Sequence, residues 1–430
     1  MKVAIIADDF TSATDAGVQF ARVGYRVQVR LGNSDRHKQR GDVLSIDADS
    51  RSCSPGVAQL RTGAAARSVG SASIVYKTID STIRGHIGVE LAAVLESSNR
   101  QTAIVAPAFP AAGRTTRAGV QYLHGLRIDK TGFATDSIHP VRESRLPVLL
   151  DNFGLAPVAV LRRWELHNRE VMARALSAAR AIVADAETEE DLRSIVDSVG
   201  DPSRVCWAGS PGLARALADA YPRANCKPFK RGDCRGVLVV AGSLNPVSRR
   251  QISRILRRAA NRGVRLKIAH KSARSESAAV RRAAAEAGAQ LEQGGLAVLF
   301  SCEREHKREW CVSPTRGRDV ASHLAEVGSR LIASGLVDGL VLTGGDTAGT
   351  VLRHIGANDM WLQSELEPGI PVGRVTEPRP LWVVTKAGGF GDDSALVRAY
   401  DALSGFRAQR ATSRASRTAG ASADPRTRTA

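Results

Sequence analysis

Lysine is scarce in this chain: it supplies only ten of the 61 basic residues, and arginine supplies the rest. Aromatic residues are few as well, at 4%. No apolar run approaches the roughly 20 residues that a membrane-spanning helix requires, so no membrane partner is expected. The six cysteines, at positions 53, 206, 226, 234, 302 and 311, form no C-x-x-C and accompany no histidine pair at ligand spacing. That pattern excludes a recognisable zinc site or disulfide framework and leaves reduced thiols. Neither G-x-x-x-x-G-K-S/T nor G-x-G-x-x-G occurs, which argues against P-loop NTPases and fingerprint dinucleotide folds. At the amino end, the apolar stretch from Val3 to Ala7 stops at Asp8 and Asp9, and no small-residue cleavage site follows. No secretory signal is expected, and a cytoplasmic location is.

Acidic residues are outnumbered 43 to 61, for a formal net charge of +18. The arginines are spread along the chain, and the tail 406–430 carries six of them against one aspartate. That tail is rich in Ala, Ser and Thr without apolar periodicity, so it reads as disordered. With no recognition motif and no basic–aromatic interleaving, no nucleic-acid partner is expected. The positive field still favours anionic small molecules.

What the chain does have is α/β alternation. With 430 residues and 43% hydrophobic content it has material for two cores. Apolar runs at 3–7, 27–31, 43–47, 73–79, 102–107, 158–161, 181–184 and 204–208 alternate with helical patterns, and this recurs after residue 236 with runs at 236–241, 265–269, 296–300, 338–343 and 381–386. The expectation is two domains, each a mostly parallel sheet flanked by helices. They would span 1–220 and 236–405, joined by an aperiodic polar linker at 221–235. The segment 367–373, with two prolines and two glycines, reads as rigid loop punctuation.

Two strand ends stop at paired glycines. Val341-Leu342-Thr343 runs into Gly344-Gly345-Asp346-Thr347, and Thr385-Lys386-Ala387 runs into Gly388-Gly389-Phe390-Gly391. Glycine leaves a ligand room to approach, and bare amides at a helix start favour anions. A third strand end, Ala241-Gly242-Ser243-Leu244-Asn245-Pro246, offers Ser243 as a phosphate donor or a plain helix cap. Open α/β sheets bind ligands at the carboxyl ends of strands, so three such turns in one half suggest a polyphosphate site.

The first half concentrates charge at its own strand ends. Asp8 and Asp9 follow the first strand, with Asp15 close behind; Asp47, Asp49 and Arg51 follow the third; Lys77, Asp80, Ser81 and Arg84 follow the fourth. One Asp is all a helix cap needs, and one Lys with one Asp is all an ion pair needs. The whole group suits a polyhydroxylated acid, with cations for its carboxylate and Asp and Ser for its hydroxyls. Arg114, in a stiff Pro- and Gly-rich stretch, has the reach for substrate or phosphate, while His139 reads as a satisfied loop histidine.

In order along residues 1 to 405, the segments IADDFTSATDAGVQFA, KTIDSTIRGHIG, VAPAFPAAGRTTRAGVQYLHG, VVAGSLNPVSRRQI, LTGGDTAGTVL, EPGIPVG and TKAGGFGDD resemble the four-carbon acid sugar kinase family. The resemblance implies an N-terminal domain binding a threonate-, erythronate- or 3-oxo-tetronate-like acid through Asp9, Arg51, Lys77, Asp80, Ser81 and Arg84. It also implies a C-terminal domain binding ATP through Ser243, Gly344 to Thr347 and Gly388 to Gly391. A homodimer is compatible with it. Within the motifs, Phe10 and Ser12 stand where the family usually has Leu and Gly, and Asn245 stands where it usually has Ser.

The expected reaction is transfer of the ATP γ-phosphoryl group to the terminal hydroxyl of the acid, with Mg²⁺ bridging phosphates and Asp346 orienting the metal. Asp9, Asp80 or Asp346 would accept the hydroxyl proton, and domain closure would exclude water. Two other readings stay open: an NAD-linked dehydrogenase of similar acids, and a non-catalytic sugar-acid sensor.

Overall fold

The computed structural model describes residues 2–32, 40–70, 72–136, 139–223, 233–242, 245–258, 263–266, 273–301 and 314–404. Ser243, positions 224–232 of the expected linker and the basic tail lie outside the described residues.

The first half contains β1 (Val3–Ala7), α1 (Phe10–Arg22), β2 (Val27–Leu31), β3 (Val43–Asp47), α2 (Pro55–Ser68), β4 (Ile74–Thr78), α3 (Ile87–Ser98) and β5 (Ala103–Ala106). These are followed by β6 (Arg114–Arg117), β7 (Val120–Leu123), β8 (Leu126–Arg127), α4 (Leu146–Asp151), β9 (Val158–Leu161), α5 (Arg169–Ala178), β10 (Ala181–Ala184), α6 (Glu189–Val199), β11 (Cys206–Gly209) and α7 (Pro211–Ala220). The second half contains β12 (Val237–Ala241), α8 (Pro246–Arg258), β13 (Gly263–Leu266), α9 (Ala273–Gly294), β14 (Leu296–Ser301) and α10 (Pro314–Ala333). It closes with β15 (Gly339–Thr343), α11 (Gly345–His354), β16 (Asp359–Glu367), β17 (Ile370–Val375), β18 (Leu381–Lys386) and α12 (Ala395–Ser404).

The expected α/β class holds. The central strands β1, β3, β4, β12 and β15 are buried at every position, which is why they read as unbroken apolar runs: helices cover both faces of a parallel sheet. The two halves do not form separate sheets, however. Strands run in the order β13-β14-β12-β15-β18-β17-β16-β2-β3-β1-β4-β11-β5-β10-β9, one sheet of 15 strands. The joint is antiparallel: β16 pairs with β2 through Asp359–Arg30, Met360–Val29 and Trp361–Gln28.

The segment expected to be plain loop at 367–373 is therefore largely strand. Pro368 and Gly369 make the turn, and Ile370 begins β17. Pro371 is tolerated because the ladder with β16 is irregular there and pairing with β18 starts only at Val372. Likewise the stiff stretch beginning near residue 106 runs into a second, three-stranded antiparallel sheet, β6-β7-β8.

Helix α1 lies over the joint. Almost its whole circumference is buried, as for a helix held between layers. A Cβ on Gly17 would come within 2.9 Å of Leu362 on β16 and 3.2 Å of Val27 on β2. Glycine at that position lets α1 approach both halves at once. One hydrophobic cluster accordingly runs from Phe10 and Val18 to Val351, Leu362 and Val383.

Candidate active site

The charged strand ends of the first half and the glycine turns of the second meet in one cleft, whose lining includes Ser12, Asp15, Arg51, Asp80, Ser81, Arg84, Ala387 and Phe390.

Asp9 caps α1, its Oδ1 accepting from the Ser12 amide at 2.7 Å and the Thr11 hydroxyl at 3.1 Å. Its other oxygen faces Arg51. Arg51 is gripped by the neighbouring aspartate too: Nε donates to Asp8 Oδ2 at 2.7 Å and a terminal nitrogen to Asp8 Oδ1 at 3.0 Å. That terminal nitrogen also donates to Ser12 Oγ at 2.9 Å, a bond unavailable to the glycine more usual in this motif. Burial pushes the Asp8 carboxyl up, but Arg51 and Lys77 outweigh it and hold Asp8 below its ordinary value.

Lys77 stands behind this group and does not line the cleft. It is 1% exposed, pairs with the equally hidden Glu90 at 2.8 Å and donates to the Thr78 carbonyl at 2.7 Å. Ser50 closes the set by donating to Glu90 at 2.6 Å. Lys77 thus supports the cleft wall from inside.

Asp80 and Arg84 form a bidentate pair, with Nε to Oδ2 at 2.8 Å and a terminal nitrogen to Oδ1 at 3.1 Å. The Arg84 guanidinium also lies 5.2 Å from the centre of the Phe133 ring. Burial alone would raise Asp80, yet the Arg84 and Arg51 charges hold it far below the usual carboxylate range. Asp80 is firmly ionised and is a weak proton acceptor in this arrangement.

Arg114 is buried, with its guanidinium 5.1 Å from the Phe390 ring centre. Its Nε finds no hydrogen-bond partner among the described residues, and no carboxylate there pairs with it. Burial draws its pKa down, the Asp80 charge pulls it back up and Arg84 adds to the fall. Arg114 donates to the Ala112 carbonyl and sits behind the cleft-lining Phe390, where a guanidinium outside any ion pair can support an anion. Phe390 itself packs 5.9 Å from Phe109, so the second glycine loop touches the first half here. His139 Nε2 lies 3.2 Å from Ser52 Oγ, and burial together with Arg51 and Arg84 lowers it to about 4. It is neutral at pH 7, a satisfied loop histidine at the cleft edge.

From the other side, Gly344 takes φ +98°, a conformation open to glycine, and α11 begins at Gly345 with no side-chain cap on its amides. A Cβ on Gly345 would overlap the Asp9 carboxylate and come within 3.0 Å of Thr11 Oγ1. The helix start therefore rests directly on Asp9. Asp346 is solvent-facing at the cleft; partial enclosure and the charge of Asp9 push its carboxyl up, against Arg51. Thr347 lies deeper, against Gly242. The Gly344 amide donates to the Lys386 carbonyl at 2.9 Å, so the 344–347 and 388–391 turns are neighbours.

Sequence reasoning overlooked Glu90, Ser50 and Lys386. A charged residue within an otherwise apolar buried strand, as in IVYKT and LWVVTK, was the available signal, because a buried cation must be compensated nearby.

Among the described residues no helix is long and apolar enough to cross a membrane. Residues 3–217 match a family model described as a sugar-binding N-terminal domain, and residues 238–396 one described as a nucleotide-binding C-terminal domain. The chain is 35% identical to a D-threonate kinase of Salmonella typhimurium, covering 93% of this chain and 97% of the relative. It is 33% identical to a D-threonate kinase of Bordetella bronchiseptica, covering 93% and 97%. A solved Salmonella typhimurium structure described as a putative tRNA synthase superposes with a TM-score of 0.78 at 23% identity, covering 93% of this chain and 98% of that one. This last likeness concerns the fold alone.

Proposed function

Because the chain belongs to the four-carbon acid sugar kinase family, we propose that it transfers the γ-phosphoryl group of ATP to the terminal hydroxyl of a four-carbon sugar acid, with D-threonate the first candidate. The observation that carries the reading is the contact of Gly345 with Asp9, which sets a phosphate-binding helix start against an acid-side carboxylate. The threonate preference rests on the names of the relatives at 35% and 33% identity.

In this reading Arg84 meets the substrate carboxylate with Arg114 behind it across Phe390, while Asp80 and Ser81 accept and donate to its hydroxyls. Arg51 positions Asp8 and Asp9, and Lys77 with Glu90 stiffens the strand end beneath them. Asp9 accepts the proton of the attacking hydroxyl; Asp80, held ionised by Arg84, orients the acid instead. The bare amides at Gly344 to Thr347 and Gly388 to Gly391 take the phosphates, with Ser243 a further donor.

Mg²⁺ suits this setting. It usually keeps several waters and takes one or two protein carboxylates plus substrate phosphates. Burial and the charge of Asp9 push the Asp346 carboxyl up at the nucleotide side, and a cation relieves that load. When bound, the ion neutralises phosphate charge; Asp346 would hold it, with Asp9 adjacent. The domain limits at 220 and 236, the cytoplasmic location and a homodimer belong to the same proposal.

An ADP-release assay with Mg-ATP against D-threonate, D-erythronate and 3-oxo-tetronates tests it. Turnover with one acid, and none with neutral sugars, is the expected result. Absence of turnover with every acid would refute the acceptor.

A further inference from the structure

We infer that Lys386, Ser248 and Gln251 shape residues 387–392 into an anion-binding nest for the nucleotide's polyphosphate, and so act as positioning residues for its site. The inference rests on the nucleotide reading above.

The argument is geometric. Lys386 ends β18 and is 1% exposed, its Nζ folded back onto the loop that follows. It donates to the carbonyls of Ala387 at 2.8 Å, Phe390 at 3.1 Å and Gly388 at 3.3 Å. From α8, Ser248 Oγ donates to Gly388 O at 2.8 Å. One turn later, Gln251 Nε2 donates to Asp392 O at 2.8 Å, Phe390 O at 3.0 Å and Gly391 O at 3.2 Å. Three side chains thus gather the carbonyls of residues 387, 388, 390, 391 and 392.

In a trans peptide unit the C=O of one residue and the N–H of the next point in opposite directions. Gathering those carbonyls turns the amides of Gly388, Gly389, Gly391, Asp392 and Asp393 the other way. The described hydrogen bonds of the loop use the Phe390 amide instead, which donates to Ala387 O at 3.1 Å. A concave row of bare amides is an anion site. Gly389 leaves it open, since a Cβ there would meet only Asn245 within 4 Å, while Gly391 serves the turn itself, with φ +74° and Ala395 2.6 Å from where a Cβ would stand.

The charge of Lys386 is offset in an unusual way. Among the described residues no carboxylate lies within ion-pair distance of it, and carbonyl dipoles take that place. Burial lowers it to about 7, with Asp15 on α1 and Glu367 at the end of β16 drawing it back up. A polyanion bound at the nest would favour the charged form of Lys386 behind it.

The test uses the full chain and the variants Ser248→Ala, Gln251→Ala and Lys386→Met, each checked for folding by circular dichroism. Affinities for Mg-ATP and for inorganic tripolyphosphate are measured by calorimetry, with KM for ATP and for the acid. Gln251→Ala, losing three hydrogen bonds to the loop, is expected to weaken both ligands roughly tenfold or more. Ser248→Ala, a gentler change, should weaken them about threefold, while KM for the acid stays within about twofold. A purely structural role would move both KM values or neither. Wild-type affinity for both ligands in folded Ser248→Ala and Gln251→Ala overturns the inference. If the unsubstituted chain binds no Mg-ATP, the nucleotide reading fails first, and that outcome is recognisable without any variant.

Discussion

Replacing Gly345 by alanine isolates the contact between the two halves of the site. Gly345 opens α11 without a positive φ, so alanine suits its backbone and should restrict the unfolded chain slightly in its favour, by about 0.4–1 kcal/mol. The obstacle is steric: the new Cβ would stand 2.9 Å from Asp9 Cγ, where ordinary contact begins near 3.4 Å. Asp9 Oδ2 is nearer still, so a shortfall of more than about 0.5 Å has to be made up by moving the helix start away from Asp9, because Asp9 is fixed by its cap bonds to α1 and by Arg51. A misplacement of about 1 Å between reacting groups can cost on the order of a hundredfold, so roughly tenfold in kcat is expected here. Thermal stability should change little. Gly344→Ala is the contrasting variant: with φ at +98°, it should lose about 1–3 kcal/mol of stability through backbone strain. Steady-state ADP release and thermal melts separate the two. Turnover of Gly345→Ala within twofold of the parent would refute the claim that this contact sets the reacting distance.

The remaining predictions address the charges around the cleft. Lys77→Met leaves Glu90 buried with only Ser50 for company and should cost about 3–5 kcal/mol, whereas Lys77→Met with Glu90→Gln should recover much of that in urea unfolding. Asp80→Asn removes the charge that orders Arg84 and should raise KM for the acid roughly tenfold while KM for ATP holds, measured by varying each substrate in turn. Asp47 is pushed up to about 7 by burial, against the pull of Arg353. Since its folded value lies above the unfolded one, its contribution to stability is full below about pH 4 and is lost as pH rises through 7. Asp47→Asn should therefore match the parent near pH 4 and gain on it towards pH 8; melts across that range that keep a constant difference would contradict the assignment.

Much of the sheet was legible because parallel strands covered on both faces leave continuous apolar runs, as in VAIIA and VLVVA. Strand β16, with the sequence DMWLQSELE, was not: its mixed, partly exposed residues carry no such run, and its partner β2 lies more than 300 residues away. The glycine turns were legible because their chemistry is local. The partnership of Asp9 with Gly345 and of Arg114 with Phe390 was not, because each joins segments from different halves. Lys77 illustrates a subtler limit. Sequence places it correctly at a strand end among charged neighbours, but only the fold shows that its ammonium turns inward to Glu90.

The continuous sheet bears on how far the two halves can move against each other. Helix α11 is held by the first half at both ends: Gly345 rests on Asp9, and Arg353 donates to Asp47 at 2.9 Å and to Asp49 at 3.3 Å. Helix α1 packs across the β2–β16 joint, and its Thr14 hydroxyl lies 3.1 Å from that of Thr385 on β18. A wide hinge rotation about the linker would have to part β2 from β16, strip α1 from one side of its core and break both Arg353 pairs together. Parting the strands and α1 costs buried area, and the partly exposed Arg353 pairs add less. The 387–392 turn meets the first half at Phe390, whose ring lies 5.9 Å from that of Phe109 and 5.1 Å from the Arg114 guanidinium, while Lys386, Ser248 and Gln251 tie the turn to the second half. The domain closure expected from sequence would therefore have to leave the β2–β16 joint and both Arg353 pairs in place.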